Sequence, residues 1–448
     1  MVDVKRASAL DTAAWAVQAA LAVGAQDAEA TCVVDERFSA EARDQVLTKL
    51  EQSTGRSLTL RVFVNSAKAT LTTNDCDGEG LRAFVREAVD AARYVASDPL
   101  AGLPEEAHPA DRAEELDLFS PDVAERETEA KIGDARAMEA SIRAYDPRIF
   151  NSSGSSVDDA SATIALANSR DFRGEYRTTS VSMGTSPIAQ DGNDKRRGSY
   201  GTAARSYAAL ETSHEIARTA AQRAIDMCGA RKPPTMRVPV IFDRDVAAMI
   251  LVDIFKSLSA ANIVTGNSFL IDKIGEKIGG DLVTIVDDGR LPRGLGSSPF
   301  DSEGVPTRRT VVFDRGVLKT YLYDTYYARK LGTVTTGNAS GGGIGPNNFF
   351  LEPGRGTQAE LIASTSHGVL VLDTIGFAVE SVSGTYSRGA RGFMIEHGEL
   401  AYPIEEFTIA GNFATMLAAV DAVANDLRFD AAVVSPSFRV AEMTVSGN

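Results

Sequence analysis

Apolar residues in the first hundred positions alternate between helical and strand spacing. Positions three or four residues apart predict amphipathic helices over residues 8–24 and 79–96. Between them, runs rich in β-branched and apolar residues predict three strands, at 31–34, 57–65 and 68–73. Residues 1–98 are therefore expected to form an N-terminal α+β domain.

The pattern changes after residue 98. Residues 99–118 are acidic, contain three prolines and lack periodicity, which is typical of a linker. Residues 119–232 then predict a second N-terminal segment, which begins with a helix from Ser120 to Tyr145 and ends with a helix over 211–229. Between these helices a loop at Ser152–Ser156 precedes three polar, Gly- and Ser-rich strands, at 162–167, 176–182 and 197–203. One face of these strands is expected to line a hydrated cavity or to face solvent.

Residues 233–448 open with one strongly patterned helix. Val246, Ile250, Ile254 and Leu258 form a single apolar stripe after Asp243, which predicts a buried helix. Most of the remaining apolar runs are short and separated by turn residues, which predicts strands at 281–289, 309–313, 316–323, 360–365, 368–373, 377–382 and 392–403. A last helix is predicted over residues 408–424. The expected fold class is α+β, with a β-rich, antiparallel C-terminal domain built on a barrel- or sandwich-like sheet.

Composition narrows the class of protein. Of 448 residues, 44% are hydrophobic and 24% are charged, as in ordinary globular proteins. The formal net charge of −15 argues against nucleic acid or an anionic membrane as a partner. The chain has three widely spaced cysteines, so no disulfide framework is predicted. It lacks an 18-residue uncharged apolar run, so no membrane span is predicted. We therefore expect a cytoplasmic protein.

Histidines are the residues that a zinc peptidase or a serine hydrolase would need, and the chain has four. His214-Glu215 lacks the second histidine that a helical zinc motif requires four or five residues later. The other three have local explanations, as turn residues beside a glycine or as a linker residue: His367, His397 and His108. No histidine cluster is predicted.

Four segments in the C-terminal half carry a resemblance to a known family. They are Gly266-Asn-Ser-Phe-Leu-Ile-Asp-Lys-Ile-Gly-Glu-Lys, Thr284-Ile-Val-Asp-Asp, Gly296-Ser-Ser-Pro-Phe-Asp-Ser-Glu-Gly-Val-Pro-Thr-Arg-Arg and Thr336-Gly-Asn-Ala. In this order they resemble the TldD/PmbA (modulator of DNA gyrase) family, and its PmbA (TldE) branch most closely. The resemblance implies a metal-dependent peptidase made of two proteins. Its TldD-type subunit carries a helical HExxxH pair and a C-terminal cysteine as metal ligands, and its PmbA-type partner lacks them.

The resemblance also assigns the degenerate positions of that metal motif. The helical positions fall on Leu251, Val252 and Lys256, and Ser435 lies near the place of the cysteine. Two of these side chains are aliphatic, and a lysine is cationic at pH 7. We therefore expect no metal and no catalytic residue in this chain, and a metal, by the resemblance zinc, in a TldD-type partner.

The most glycine-dense stretch runs from Thr336 to Asn348. It lacks the Gly-Lys-Ser/Thr sequence of a phosphate-binding loop. It is either a plain mobile connection or a loop whose backbone lies close to a bound peptide, since glycine permits such an approach. The candidate peptide contacts are Gly337, Asn338, Gly341, Gly342, Gly343, Asn347 and Asn348.

Three functions remain open. The first is a non-catalytic TldE/PmbA-type subunit, inactive alone, of a heterodimeric TldD-like metallopeptidase that cleaves peptides or unfolded segments, including leader peptides. The second is a homodimeric, metal-free protein that binds peptides or acts as a scaffold. The third is a hydrolase with Ser297 or Ser435 as nucleophile, although the sequence shows no recognisable Ser-His-Asp arrangement. The peptide substrate and the identity of the partner stay open.

Overall fold

The computed structural model describes residues 8–105, 113–376 and 379–447. His108, the middle of the predicted linker and the first two residues of the strand predicted at 377–382 lie outside these ranges. Short 3-10 helices span Ala113–Leu116 and Tyr207–Ala209. The other elements of the first half are α1 (Ala9–Ala22), β1 (Asp27–Arg43), β2 (Val46–Val64), β3 (Ala67–Thr73), α2 (Gly78–Arg93), α3 (Asp122–Glu125), α4 (Thr128–Tyr145), β4 (Ile149–Asn168), β5 (Arg173–Asp191), β6 (Asp194–Arg197), β7 (Tyr200–Ala204) and α5 (Ser213–Asp226).

These strands form one antiparallel sheet, in the order β3-β2-β1-β4-β5-β6, with β7 paired to β5. Helices α1 and α2 pack near β1 and β2, whereas α4 and α5 pack on β4 and β5. The buried helix faces are rich in alanine, for example Ala13 and Ala16 of α1 and Ala220 and Ala224 of α5. These small side chains let the helices lie close to the sheet.

The strands of this sheet are much longer than predicted. Strand β4 includes the predicted loop at Ser152–Ser156, so that prediction is wrong. The reason is Glu139 of α4, a fully buried carboxylate that accepts hydrogen bonds from Ser152 Oγ (2.7 Å) and Ser155 Oγ (3.0 Å). Because the serine hydroxyls have this buried acceptor, polar residues can occupy an inward-facing strand position.

The sheet runs across the two predicted N-terminal segments. Strand β1 pairs with β4 from Glu29 opposite Asn168 to Ala42 opposite Ser155. The helix predicted from Ser120 to Tyr145 is instead two helices, because the backbone is extended at Arg126. The boundaries at residues 98, 118 and 232 stay a prediction.

The second half contains shorter elements. They are β8 (Met236–Phe242), α6 (Arg244–Leu258), α7 (Ala260–Val264), β9 (Ile285–Asp288), β10 (Arg309–Asp314), β11 (Val317–Leu318), α8 (Thr325–Lys330), β12 (Ala339–Ser340), β13 (Gly343–Ile344), β14 (Asn348–Leu351), α9 (Gln358–Ala363), β15 (His367–Ile375), β16 (Val379–Glu380), β17 (Thr385–Glu396), β18 (Glu399–Asn412), α10 (Phe413–Ala418), β19 (Val420–Val423), β20 (Val433–Val434) and β21 (Phe438–Ser446).

Five of these strands close into a barrel. The order is β15-β8-β21-β18-β17, and β17 pairs back to β15. A second, five-stranded sheet has the order β11-β10-β9-β14-β20. Helix α6 contacts strands of both sheets, and the core that they share includes Phe242, Ile254 and Phe349. The predicted α+β class with a barrel-like C-terminal sheet is confirmed.

Among the C-terminal elements, two predictions are wrong, and the strands predicted at 309–313 and 368–373 are confirmed as β10 and β15. Residues 408–412 end β18, and the predicted last helix shrinks to α10. Asn412 Oδ1 caps its start by accepting from Ala414 N (3.0 Å), and the predicted end is instead strand β19, which pairs with β21. The strand predicted at 360–365 is α9, which begins with a Thr357–Glu360 capping box. The buried helix α6 and the turn at His397 (φ 55°) between β17 and β18 occur as predicted. In the described part of the chain, no helix is long and apolar enough to cross a membrane.

Candidate functional site

A cavity of about 380 Å³ lies where the N-terminal sheet meets loops of the C-terminal half. This volume is in the range of small-molecule and peptide side-chain pockets. The sheet contributes residues of β1, β4 and β5, among them Ile164, Leu166 and Tyr176. The loops contribute Phe300 and part of the glycine-rich stretch. The cavity therefore joins the two halves of the chain.

One side of the cavity is apolar and rigidly packed. The ring of Phe300 meets Tyr176 edge-on at a centroid distance of 5.3 Å and Phe172 at 5.2 Å. Such edge-to-face contacts fix ring orientation and add to the stability gained by burial. Ile164 and Leu166 complete this wall.

The glycine-rich loop is anchored by one buried carboxylate. Asp287, at the end of β9, is inaccessible to solvent and accepts hydrogen bonds from Asn338 Nδ2 (2.7 Å), Asn347 N (2.8 Å) and Asn347 Nδ2 (2.9 Å). Burial raises the pKa of Asp287 to about 6, although these donors act in the opposite direction. The two asparagines thus connect a strand of the C-terminal sheet to the cavity wall.

A second buried carboxylate shapes the neighbouring loop. Asp301 accepts from the backbone N–H groups of Glu303 (2.9 Å), Val305 (3.0 Å) and Ala339 (3.0 Å). Burial, and then the nearby Glu303, raise the pKa of Asp301 to about 8. Asp301 therefore ties the loop that carries Phe300 to the glycine-rich stretch.

The guanidinium of Arg205 connects the sheet to the opposite loop. Its Nη1 donates to Thr179 O (3.0 Å) and to the Thr178 hydroxyl, and its Nη2 donates to Gly294 O (2.7 Å) and Leu295 O (3.0 Å). Burial lowers the pKa of Arg205 to about 10, so the side chain remains cationic at neutral pH. It lines the cavity while being only 8% exposed.

The predicted peptide contacts divide into two groups. Asn338 and Asn347 line the cavity. Asn348 is buried behind it, where its amide donates to Asp288 O (2.6 Å) and its Oδ1 accepts from Gly296 N (3.0 Å). The glycines fall elsewhere: Gly337 packs on Pro306 and Thr307, and Gly341, Gly342 and Gly343 form the exposed tip of the β12–β13 hairpin. The assignment of these seven residues as peptide contacts stays a prediction.

Several cavity residues escaped sequence reasoning. Arg205, Tyr176 and Phe300 are far apart along the chain, and no spacing rule brings them together. The sequence did offer a signal for Asp287, which anchors the cavity loop without lining the cavity, since an acidic pair at the end of an apolar strand is unusual for a buried strand.

The degenerate metal-motif positions lie on and beside α6. Leu251 is buried, Val252 is partly exposed, and Lys256 donates to Asp253 Oδ1 (3.1 Å). The other Asp253 oxygen accepts from Arg388 (2.6 Å), in an ion pair that is buried on both sides. Strand β20 packs next to α6, and Ser435 follows this strand directly in the chain.

These side chains do not fit a zinc ion. Zinc requires imidazole, thiolate or carboxylate donors, whereas this part of α6 presents aliphatic groups and an acid already paired with two cations. Ser435 Oγ donates to Pro436 O (2.8 Å). Across residues 8–105, 113–376 and 379–447, no three His, Cys, Asp or Glu side chains are grouped as a metal site.

The two serines considered as nucleophiles have structural hydrogen bonds. Ser297 Oγ donates to Leu291 O (2.6 Å) and accepts from Asn348 Nδ2 (2.8 Å). Within the described residues neither Ser297 nor Ser435 has a hydrogen bond to a histidine. His214 instead contacts Ser141, so the geometry gives no support to a serine hydrolase.

A group of charged side chains lies beside the cavity, between the two halves. Arg61 Nη1 lies 3.1 Å from Glu29 Oε1 and 3.5 Å from Glu303 Oε1. Thr325 N donates to the other Glu303 oxygen (3.0 Å). Burial raises the pKa of Glu29 to about 7, against the attraction of Arg61. This group couples the N-terminal sheet to the same loop that carries Asp301.

Comparison with known proteins places this arrangement in a class. Three family models match in chain order: PmbA/TldA metallopeptidase domain 1 at residues 28–92, the central domain at 121–227 and the C-terminal domain at 235–447. The chain therefore belongs to the PmbA/TldD metallopeptidase family.

Within that family, the similarity extends to proteins called PmbA. Metalloprotease PmbA of Escherichia coli O157:H7 is 32% identical over 411 residues, covering 92% of this chain and 90% of that protein. The PmbA homologue of Haemophilus influenzae is 31% identical over 437 residues, covering 97% and 95%.

Solved structures share the whole fold. A protein of Bacteroides thetaiotaomicron described as a modulator of DNA gyrase superposes with a TM-score of 0.90 at 28% identity, over 98% of each chain. TldE from Thermococcus kodakarensis has a TM-score of 0.84 at 21% identity, over 97% of this chain and 100% of that one, and this match shows the fold alone.

Proposed function

We propose that this chain is the non-catalytic, peptide-binding subunit of a heteromeric metallopeptidase whose metal is held by a TldD-type partner. The observation that carries the proposal is that the metal-motif positions on α6 carry no side chains able to bind a metal. Where the family resemblance calls for metal ligands, the chain has Leu251, Val252 and Lys256, and the adjacent Asp253 is occupied by Lys256 and Arg388. Bond cleavage is then supplied by the partner.

The interdomain cavity supports the peptide-binding part of the proposal. It combines an apolar wall with side-chain amides and a buried cation, the mixture that orients a peptide ligand. Its loops are fixed by Asp287 and Asp301, so little conformational entropy is lost when a ligand binds.

The proposed roles of this chain are to hold peptide and to complete the enclosure around the partner's metal, which we expect to be zinc. The substrates are peptides or unfolded segments, including leader peptides. The cytoplasmic location is also a proposal. It is supported by three cysteines that are free thiols, as is usual in a reducing compartment.

The test is reconstitution from separately purified proteins. The chain alone, the TldD-type protein of the same cells alone, and their mixture are assayed on an unfolded fluorogenic polypeptide, with and without a chelator. We expect chelator-sensitive cleavage by the mixture that exceeds the sum of the separate activities. Chelator-sensitive cleavage that stays with this chain through repeated purification would refute the proposal.

A substitution in this chain tests the assignment of α6. Lys256→Ala should leave the activity of the mixture within about twofold, since the Lys256 side chain is exposed and Asp253 keeps Arg388 as its partner. Lys273→Ala is the matched control, because Lys273 is likewise an exposed lysine paired with an acid three residues away. A loss confined to Lys256→Ala would show that this helix takes part in the reaction.

The same preparations test the homodimeric alternative. Sedimentation of this chain with and without the TldD-type protein reports which complex forms. A stable self-dimer that ignores the TldD-type protein but binds peptide would favour the metal-free binding or scaffold function.

A further inference from the structure

The cavity wall contains a positive charge without a matching negative one. Among the described residues that line the cavity, Arg205 is the single lysine or arginine. Its assigned hydrogen bonds all go to neutral oxygens, and no described carboxylate oxygen lies within ion-pair distance of it. Its Nε is buried without a partner. A buried charge is normally paired, because its transfer from water is costly.

The acid in the same wall does not balance this charge. Asp301 uses both carboxylate oxygens on the backbone N–H groups of Glu303, Val305 and Ala339. Burial also raises the pKa of Asp301 to about 8, which weakens its negative charge near neutral pH, and no ion pair joins it to Arg205. The cavity is therefore electropositive at the end formed by Arg205.

A second, independent feature points to a ligand. Asn338 is 2% exposed and lines the cavity, and its Oδ1 is buried without a hydrogen-bond donor. Its Nδ2 is occupied by Asp287 Oδ2 and Gly345 O (3.0 Å), so the amide cannot rotate to exchange its two ends without losing both bonds. A vacant buried acceptor of this kind is satisfied by a ligand N–H group.

We propose that the cavity binds a peptide through a carboxylate, with Arg205 as the cation that attracts it and Asn338 as the acceptor for a neighbouring N–H group. The carboxylate is either the C-terminal α-carboxylate or the side chain of an Asp or Glu residue. An apolar side chain of the peptide then packs on Ile164 and Phe300. This inference rests on the proposed peptide-binding function and adds the chemical class of the peptide.

Four fluorescein-labelled peptides, identical except at the C-terminus and at one internal position, test the inference on the intact, unmodified chain. One has a free C-terminal carboxylate, and the second has a C-terminal amide. The third and fourth are amides that carry an internal Glu or Gln at the same position. Fluorescence anisotropy at low and moderate salt gives the four dissociation constants.

Electrostatic attraction to a buried cation predicts that the correct carboxylate improves the dissociation constant by about tenfold or more. A preference for the first peptide over the second identifies the C-terminal carboxylate, and a preference for Glu over Gln identifies an acidic side chain. Equal binding of all four would overturn this inference while leaving the proposed function intact. Failure of all four to bind at up to millimolar concentration would overturn both.

A pair of variants connects the preference to the cavity. Arg205→Met should remove the carboxylate preference and its salt dependence, while Arg173→Met, an exposed change on β5 of the same sheet, should leave both unchanged. If Arg205→Met retains the wild-type circular dichroism spectrum and the wild-type preference, the inference is wrong. If this variant does not fold, the four-peptide comparison on the wild-type chain still decides the matter.

Discussion

Replacing Asp287 with alanine tests how the glycine-rich loop is held. The change removes the acceptor of three buried N–H groups, two from Asn347 and one from Asn338. A buried donor left without a partner costs roughly 1–3 kcal/mol, so three cost about 6 kcal/mol at the middle of that range. The wild-type carboxylate, however, already destabilises the fold by being buried. Its pKa shift from 3.8 to about 6 corresponds to about 3 kcal/mol at pH 8, which the variant recovers.

The expected net loss is therefore about 3 kcal/mol, and it should be local to the loop. Hydrogen–deuterium exchange measured by mass spectrometry at pH 8 reports the opening of residues 337–347. A loss of 3 kcal/mol accelerates their exchange about a hundredfold. Asp288→Ala is the matched control, because Asp288 accepts a single backbone N–H, from Arg290 (2.8 Å). If both variants keep the wild-type circular dichroism spectrum and exchange equally in this loop, the reasoning fails.

Three further changes test other parts of the structure. Burial holds the pKa of Glu29 at about 7, above its ordinary 4.5, so its ionisation destabilises the folded state as the pH rises from about 4.5 to 7. The Tm of the wild type minus the Tm of Glu29→Gln should therefore decrease as the pH rises from 5 to 8. A difference that does not change with pH would contradict this. Arg388→Met should lower the free energy of unfolding in urea by roughly 1.5–3 kcal/mol, because the buried Asp253 loses a charge-assisted hydrogen bond and keeps only the exposed Lys256 as its cation, and a second change, Asp253→Leu, should restore most of it; a neutral single variant would refute the pairing. Gly316→Ala should lower the Tm more than Gly332→Ala does. Both glycines have positive φ, but of the two only a Cβ at position 316 would overlap a backbone carbonyl, that of Gly279. Equal Tm values for the two variants would contradict this.

The sequence was informative wherever structure depends on neighbours in the chain. The stripe of Val246, Ile250, Ile254 and Leu258 predicts α6 because helical periodicity is a local property. The turn at His397 is predicted for the same reason, since it needs only a residue that tolerates positive φ before a glycine. The family resemblance rests on short segments of this local kind as well.

The cavity could not be predicted in this way. Arg205 reaches it from β7's end of the sheet, Phe300 from a loop of the second half, and their meeting depends on how the two halves pack. The prediction of a loop at Ser152–Ser156 was wrong for a related reason. Their polar composition is acceptable only because Glu139, which comes from a helix rather than from the strand itself, is buried against them.

The central position of β1 in its sheet has a consequence for synthesis on the ribosome. One edge of β1 pairs at once with its neighbour in sequence, β2, but its other edge waits for β4, for example in the pairing of Glu29 with Asn168. A nascent chain that ends before β4 exposes an open strand edge, the kind of surface that pairs with other chains. The far edge of β4 stays open in turn until β5 pairs with it, so truncated products are expected to aggregate until translation passes about residue 191, where β5 is complete.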